Sequence, residues 1–174
     1  MKIAVMTDTN SGMSVPEGEK SGIFVLPMPV IIHEKNYLEG VDITSQQLFQ
    51  ALGDGIPVST SQPSPASLTQ LWDQIFALSY DEIVYLPMSS GLSGSCSTAI
   101  QLAKDYGGRV QVADHHRISL PQKYAVLDAK QMADQGGMTA SGIRDRLEQN
   151  GLNAMVYIAV DTLEYLKKSG RVTA

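Results

Sequence analysis

Apolar positions along the chain follow two alternating rhythms. Short continuous apolar runs are separated by longer stretches whose apolar residues recur every three or four positions. KIAVM (2–6) reads as a buried strand that ends in the polar loop TDTNSG. SVPEGEK (14–20) reads as a short helix capped by Ser14, with Glu17 completing a capping box. IFVLPMPVIIH (23–33) has strand composition, and Pro27 and Pro29 place it at an edge or a bend. EKNYLEGVD adds a turn and a short returning strand. ITSQQLFQALGDG predicts a helix with Thr44 as N-cap, Leu48, Ala51 and Leu52 on one face, and Gly53 and Gly55 as its stop.

IPVSTSQPSP (56–65) is a short strand running into a Pro-rich loop. SLTQLWDQIFALSY then predicts an amphipathic helix with Leu68, Leu71, Trp72, Ile75 and Phe76 turned to the core. EIVYLPM is a strand, SGSCSTAIQLAKDYGG a helix with a glycine stop, and RVQVAD a strand. Residues 119–135 and 139–150 predict two more helices split by Gly136 and Gly137. NAMVYIAVD reads as a strand, and TLEYLKKSG as a last helical turn or two, with Asp161 as its N-cap. Strands alternating with helices give an α/β fold, a parallel sheet with helices on both faces.

Composition narrows the functional classes. A 174-residue chain with 43% hydrophobic and 18% charged residues suits one globular domain with its own core. A net charge of -5 argues against nonspecific nucleic-acid binding. The single cysteine, Cys96, rules out an intrachain disulfide, and a cytoplasmic location is expected. No run approaches the ~20 apolar residues of a membrane span. Asp8, Asp42, Asp114 and the histidines lack metal-ligand spacing, so neither a metal nor a cofactor is expected. Cys96 reads as packing, and His33 as a strand-end surface residue.

The chemistry concentrates in loops. In an open parallel sheet, ligands bind beyond the carboxyl ends of the strands. TDTNS, STSQPS and SSGLSG are rich in small hydroxyl residues, and the last two enter helices whose first amides favour an anion. SSGLSGSC lacks the lysine of a phosphate loop and the three spaced glycines of a dinucleotide loop. Gly91-Leu92-Ser93-Gly94-Ser95 is a nucleophile elbow short of its last glycine. A serine hydrolase or acyltransferase would use Ser93 with His115 or His116 as base and Asp8 or Asp114 to orient it. The plainer reading makes His115 and His116 ordinary polar residues of a surface loop.

VDIT (41–44), TSQPSP (60–65), SSGLSG (89–94) and VDTLEYLKKSGR (160–171) occur in this order, after TDTNSG near the start. Together they resemble the DegV family of bacterial fatty-acid-binding proteins across essentially the whole chain. The resemblance implies a Rossmann-like N-terminal domain over residues 1–160. Residues 161–174 would be the start of a linker and a second α/β domain, largely missing. It implies a non-enzymatic carrier that holds a long-chain fatty acid and presents it to a partner fatty acid kinase. Thr60 and Ser93 would grip the carboxylate, with Ser61, Gly94 and Ser95 beside them and Arg171 near the site. Ser95 stands where the family commonly has threonine, and Asp114-His115 where it often has Asp-Ser or Asp-Thr. Family members usually continue past SGR into a domain that closes over the acyl chain. The shortened chain is therefore expected to bind fatty acid weakly or not at all and to self-associate through uncovered apolar surface.

Overall fold

The structure is a computed structural model that describes residues 1–154 together with Val156, Tyr157, Ala159, Val160, Leu163 and Lys167. In chain order the elements are β1 (Ile3–Asp8), α1 (Val15–Ser21), β2 (Ile23–Leu26), β3 (Pro29–Ile32), β4 (Lys35–Leu38) and α2 (Ser45–Gly53). They continue with β5 (Val58–Thr60), α3 (Pro65–Ala77), β6 (Glu82–Leu86), α4 (Ser95–Ala103), β7 (Val110–Val112), α5 (Ser119–Gln135) and α6 (Ala140–Gln149). Of the strand expected over 153–161, residues 153, 154, 156, 157, 159 and 160 are described and none lies in a strand, whereas the helix expected over 162–170 falls largely outside the described residues, as do Asp161 and Arg171.

Four strands form a parallel sheet in the order β2-β1-β6-β7. All six residues of β1 are buried, because β1 is central and covered on both faces. Its alternate residues enter two different cores. Ile3 and Val5 join Val84, Leu86, Ala125, Val126, Ala129 and Ile143 on the face covered by α1, α5 and α6. Ala4 and Met6 join Leu68, Trp72, Ile75, Tyr85 and Cys96 on the face covered by α3 and α4. Trp72 meets Tyr85 and Tyr106 edge-on, with ring centroids 6.3 and 5.2 Å away.

The remaining strands form a separate antiparallel sheet in the order β4-β3-β5. The strand before STSQPS, expected to end in the parallel sheet with its loop beside the other two, is β5 and lies in this antiparallel sheet instead. Pro27 and Pro29 cannot donate to a ladder, and the chain uses them to leave one sheet and open another. β5 then pairs with β3 through Val30↔Thr60 and Ile32↔Val58. α2 lies in the chain between β4 and β5. It starts with a full capping box between Thr44 and Gln47, and Ala51 is its buried residue.

At α1 the cap is only half of the expected box. Ser14 accepts the Glu17 amide, and the Glu17 carboxylate pairs chiefly with Lys123 of α5 at 2.6 Å.

Candidate functional site

β1 connects to β2 on one side and has β6 on the other, so the strand order reverses between β1 and β6. A crevice is expected there, beyond the carboxyl ends of the strands. The loops leaving β1 and β6 meet at this point, held by a buried polar network.

Asp8 is its centre. Its carboxylate accepts the Met88 amide at 2.9 Å, the Asn10 amide at 3.1 Å and Gln122 Nε2 at 3.1 Å. Gln122 Nε2 also reaches Thr7 Oγ1 and the Leu86 carbonyl, each at 3.1 Å. Burial raises the Asp8 carboxyl above the usual range, and the hydrogen bonds oppose that rise. Sequence reasoning missed Gln122. The signal was present: it lies on the same helical stripe as Ala125, Val126 and Ala129, a polar residue on a buried face.

The SSGLSG loop is pinned on its other side by the chain after β7. The Ser89 amide donates to the Arg117 carbonyl at 3.0 Å, and the Ser90 amide to Asp114 Oδ1 at 3.2 Å. Although burial raises the Asp114 carboxyl, the hydrogen bonds from Ser90 and the nearby His116 hold it below the usual range. At the loop's end, Ser93 Oγ accepts the Ser95 amide at 3.2 Å, which leaves the Ser93 hydroxyl hydrogen to donate elsewhere. Ser95 Oγ is buried with no partner. The N-cap of α4 is Gly94, which has no side chain to offer, so only the Ser95 amide is met, by Ser93 Oγ. α3, by contrast, is closed by Ser64, which accepts the Ser67 amide at 3.0 Å.

Thr60 and Ser61 are exposed at the end of β5. Gln62 joins their loop to the other. Its Oε1 accepts Thr98 Oγ1 at 3.3 Å, and a Cβ on Gly94 would lie 3.5 Å from the same oxygen. The structure thus brings TSQPSP beside SSGLSG, with no hydrogen bond between Thr60 and Ser93 among the described residues. Gln62 was not singled out by the sequence.

The histidines part company. His116 is exposed and faces Asp114 at 3.6 Å. His115 is fully buried, which corrects the surface-loop expectation for it. Neither ring nitrogen of His115 has a hydrogen-bond partner, and among the described residues neither histidine bonds Ser93. Burial pushes the Cys96 thiol up to about 12, with Asp114, Glu148 and Asp8 adding to the rise, so Cys96 is a packing residue. No metal-ligand cluster occurs among the described residues, and none of their helices is long and apolar enough to cross a membrane.

The architecture defines an α/β domain with a parallel sheet, a small antiparallel lobe and a hydroxyl-rich loop cluster at the switch point. The chain belongs to the DegV family: the model of that family, described as "Uncharacterised protein, DegV family", matches residues 2–174. A DegV domain-containing protein of Deinococcus radiodurans is 35% identical over 99% of this chain and 61% of its own length. One from Streptomyces coelicolor is 30% identical over the same shares. A solved Thermus thermophilus structure, described as the fatty acid binding of a DegV family protein, superposes with a TM-score of 0.86 at 30% identity, over 98% of this chain and 61% of that one. The Bacillus subtilis DegV, described as a fatty acid binding protein, superposes with a TM-score of 0.83 at 25% identity, again over 98% and 61%. The chain spans about three-fifths of the length of these relatives.

Proposed function

We propose that this chain binds a long-chain fatty acid, with Thr60 and Ser93 donating to its carboxylate and Ser61, Gly94 and Ser95 lining the same spot. One observation carries the reading: at the N-terminus of α4 the N-cap Gly94 has no side chain to offer, Ser93 Oγ takes only the Ser95 amide, and the buried Ser95 hydroxyl lacks a partner. Uncapped first-turn amides and free hydroxyls are donors that an anion satisfies. TDTNSG, TSQPSP and SSGLSG contain no lysine or arginine, which favours a singly charged carboxylate over a phosphate. Relatives described as fatty acid binding support the same class of ligand.

Affinity and orientation separate. Each buried methylene contributes ~0.8 kcal/mol, whereas a hydrogen bond to a charged group nets about 1.5–3 kcal/mol. The tail supplies most of the binding, and the hydroxyls set where the head group lies. In this reading the chain is a carrier that presents the acid to a partner kinase. Exposed apolar residues such as Phe49, Tyr124 and Leu152 favour self-association, which light scattering across concentration would detect.

The test is calorimetric titration with palmitate and with its methyl ester. Palmitate binds more tightly than the ester, and Thr60→Val or Ser93→Ala weakens palmitate binding roughly 10- to 100-fold while leaving the ester unchanged. Equal binding of acid and ester refutes the carboxylate grip. A fluorophosphonate probe leaves Ser93 unlabelled if the chain is a carrier; stoichiometric labelling would make it an enzyme.

A further inference from the structure

The two halves of the proposed grip ride on different sheets. Ser93 follows β6 of the parallel sheet, and Thr60 ends β5 of the antiparallel lobe. The hydrogen bonds that join lobe to body are few. Among the described residues they are the Gln62–Thr98 bond and two bonds made by a single atom, Thr9 Oγ1.

That hydroxyl accepts the Met28 amide at 3.1 Å and donates to Glu39 Oε2 at 2.5 Å. Met28 lies at the entry to β3, and Glu39 follows β4. The Glu39 amide returns to the Met28 carbonyl at 3.0 Å. Both ends of the β3–β4 hairpin therefore hang from one oxygen, and one of its bonds is charge-assisted. β5 inherits the placement through its pairing with β3, where Val30 lies opposite Thr60.

We propose that Thr9 is a positioning residue: it clamps the antiparallel lobe to the main sheet and so sets Thr60 relative to Ser93. The preceding residue, Asp8, does the matching work for the other half by holding the Met88 amide at the foot of the SSGLSG loop. Adjacent residues at the end of β1 thus give both halves one common reference. The ligand part of this inference rests on the carboxylate reading; the clamp itself does not.

Amide hydrogen exchange and palmitate titration on the same variants test it. Thr9→Val removes both bonds without changing side-chain size. Exchange in β3, β4 and β5 then rises about tenfold while β1 and β6 keep their protection. Thr9→Ser keeps the hydroxyl and restores the wild-type pattern. Glu39→Leu reproduces the lobe-specific rise from the other end of the bond, so the result does not hang on one variant. A rise spread evenly over both sheets, or none, overturns the clamp. In titration Thr9→Val weakens palmitate binding about fivefold, and adds nothing once Thr60→Val is present, since coupled residues do not add. Additive losses overturn the positioning role. If Thr60→Val alone leaves palmitate binding intact, the carboxylate reading falls, and the exchange pattern still decides the clamp.

Discussion

His115 makes the stability of this fold fall on mild acidification. The imidazole is fully buried, and Gly151 packs on the His115 backbone, where an added Cβ would lie 3.0 Å from the carbonyl oxygen. Burial pushes the ring down to about 4, the Arg117 charge adds to this, and the Pro87 carbonyl and Asp114 oppose it. An unfolded histidine titrates near ~6.5. Because the folded value is the lower one, the unfolded chain takes up its proton first. The stability contributed by a neutral ring is complete above ~6.5 and is lost as pH falls toward the folded value. The gap corresponds to about 3 kcal/mol in total, of which about 2 kcal/mol is lost between about pH 8 and about pH 5. That is a large part of an ordinary folding free energy of about 5–15 kcal/mol. Asp8 acts in the opposite sense. Its raised folded value means that the cost of an ionised buried carboxylate is present above that value and relieved as pH falls. The comparison that isolates His115 is wild type against His115→Leu, which removes the ring and leaves Asp8 in place. Neither ring nitrogen makes a well-formed hydrogen bond, only a weak approach to the Pro87 carbonyl, so the substitution forfeits little. Urea unfolding across that pH range gives a variant that gains on wild type by about 2 kcal/mol toward the acid end. A constant difference between the two proteins at every pH refutes the reasoning.

Two further outcomes follow from packing. Gly18→Ala would stabilise an isolated helix by about 1 kcal/mol. Here the added Cβ would lie 2.5 Å from Val25 Cγ2 and 2.7 Å from the Ile23 carbonyl oxygen, so the variant loses about 1–3 kcal/mol in urea unfolding. A gain in stability would refute the close approach of α1 to β2. Cys96, buried with its thiol pushed up to about 12, does not react with a thiol reagent at about pH 8 until urea unfolds the chain. Stoichiometric labelling of the native protein would contradict that.

The long helices were legible because their information is local. Two glycines break the periodic stretch between α5 and α6, and the helices end where the sequence ends them. The β3–β4 hairpin was legible as a strand, a turn and a returning strand, but its separation from the main sheet and its pairing with β5 were not, because strands of three to four residues have their sheet chosen by distant partners. The same holds at Glu17, whose local role in a capping box yields to Lys123 more than a hundred positions away. The site divides in the same way. Ser93 and Thr60 stood out as hydroxyls in Gly- and Pro-rich loops. Gln62, Gln122, Thr9 and Glu39 act through contacts that only the folded chain creates. His115 was misread because a pair of histidines in a loop carries no sign that the folded chain will bury one ring and leave the other exposed.

Trp72 is the only tryptophan in the chain, and it lies wholly buried against Tyr85 of β6, the strand that leads into the SSGLSG loop. The protein therefore carries a built-in optical reporter of one layer. Its emission follows the integrity of the α3–α4 face of the sheet and is blind to the outlying lobe. A ligand or substitution that moves only the lobe leaves that signal unchanged, whereas unfolding of the main sheet shifts it. Intrinsic fluorescence can thus separate the two kinds of motion without any label.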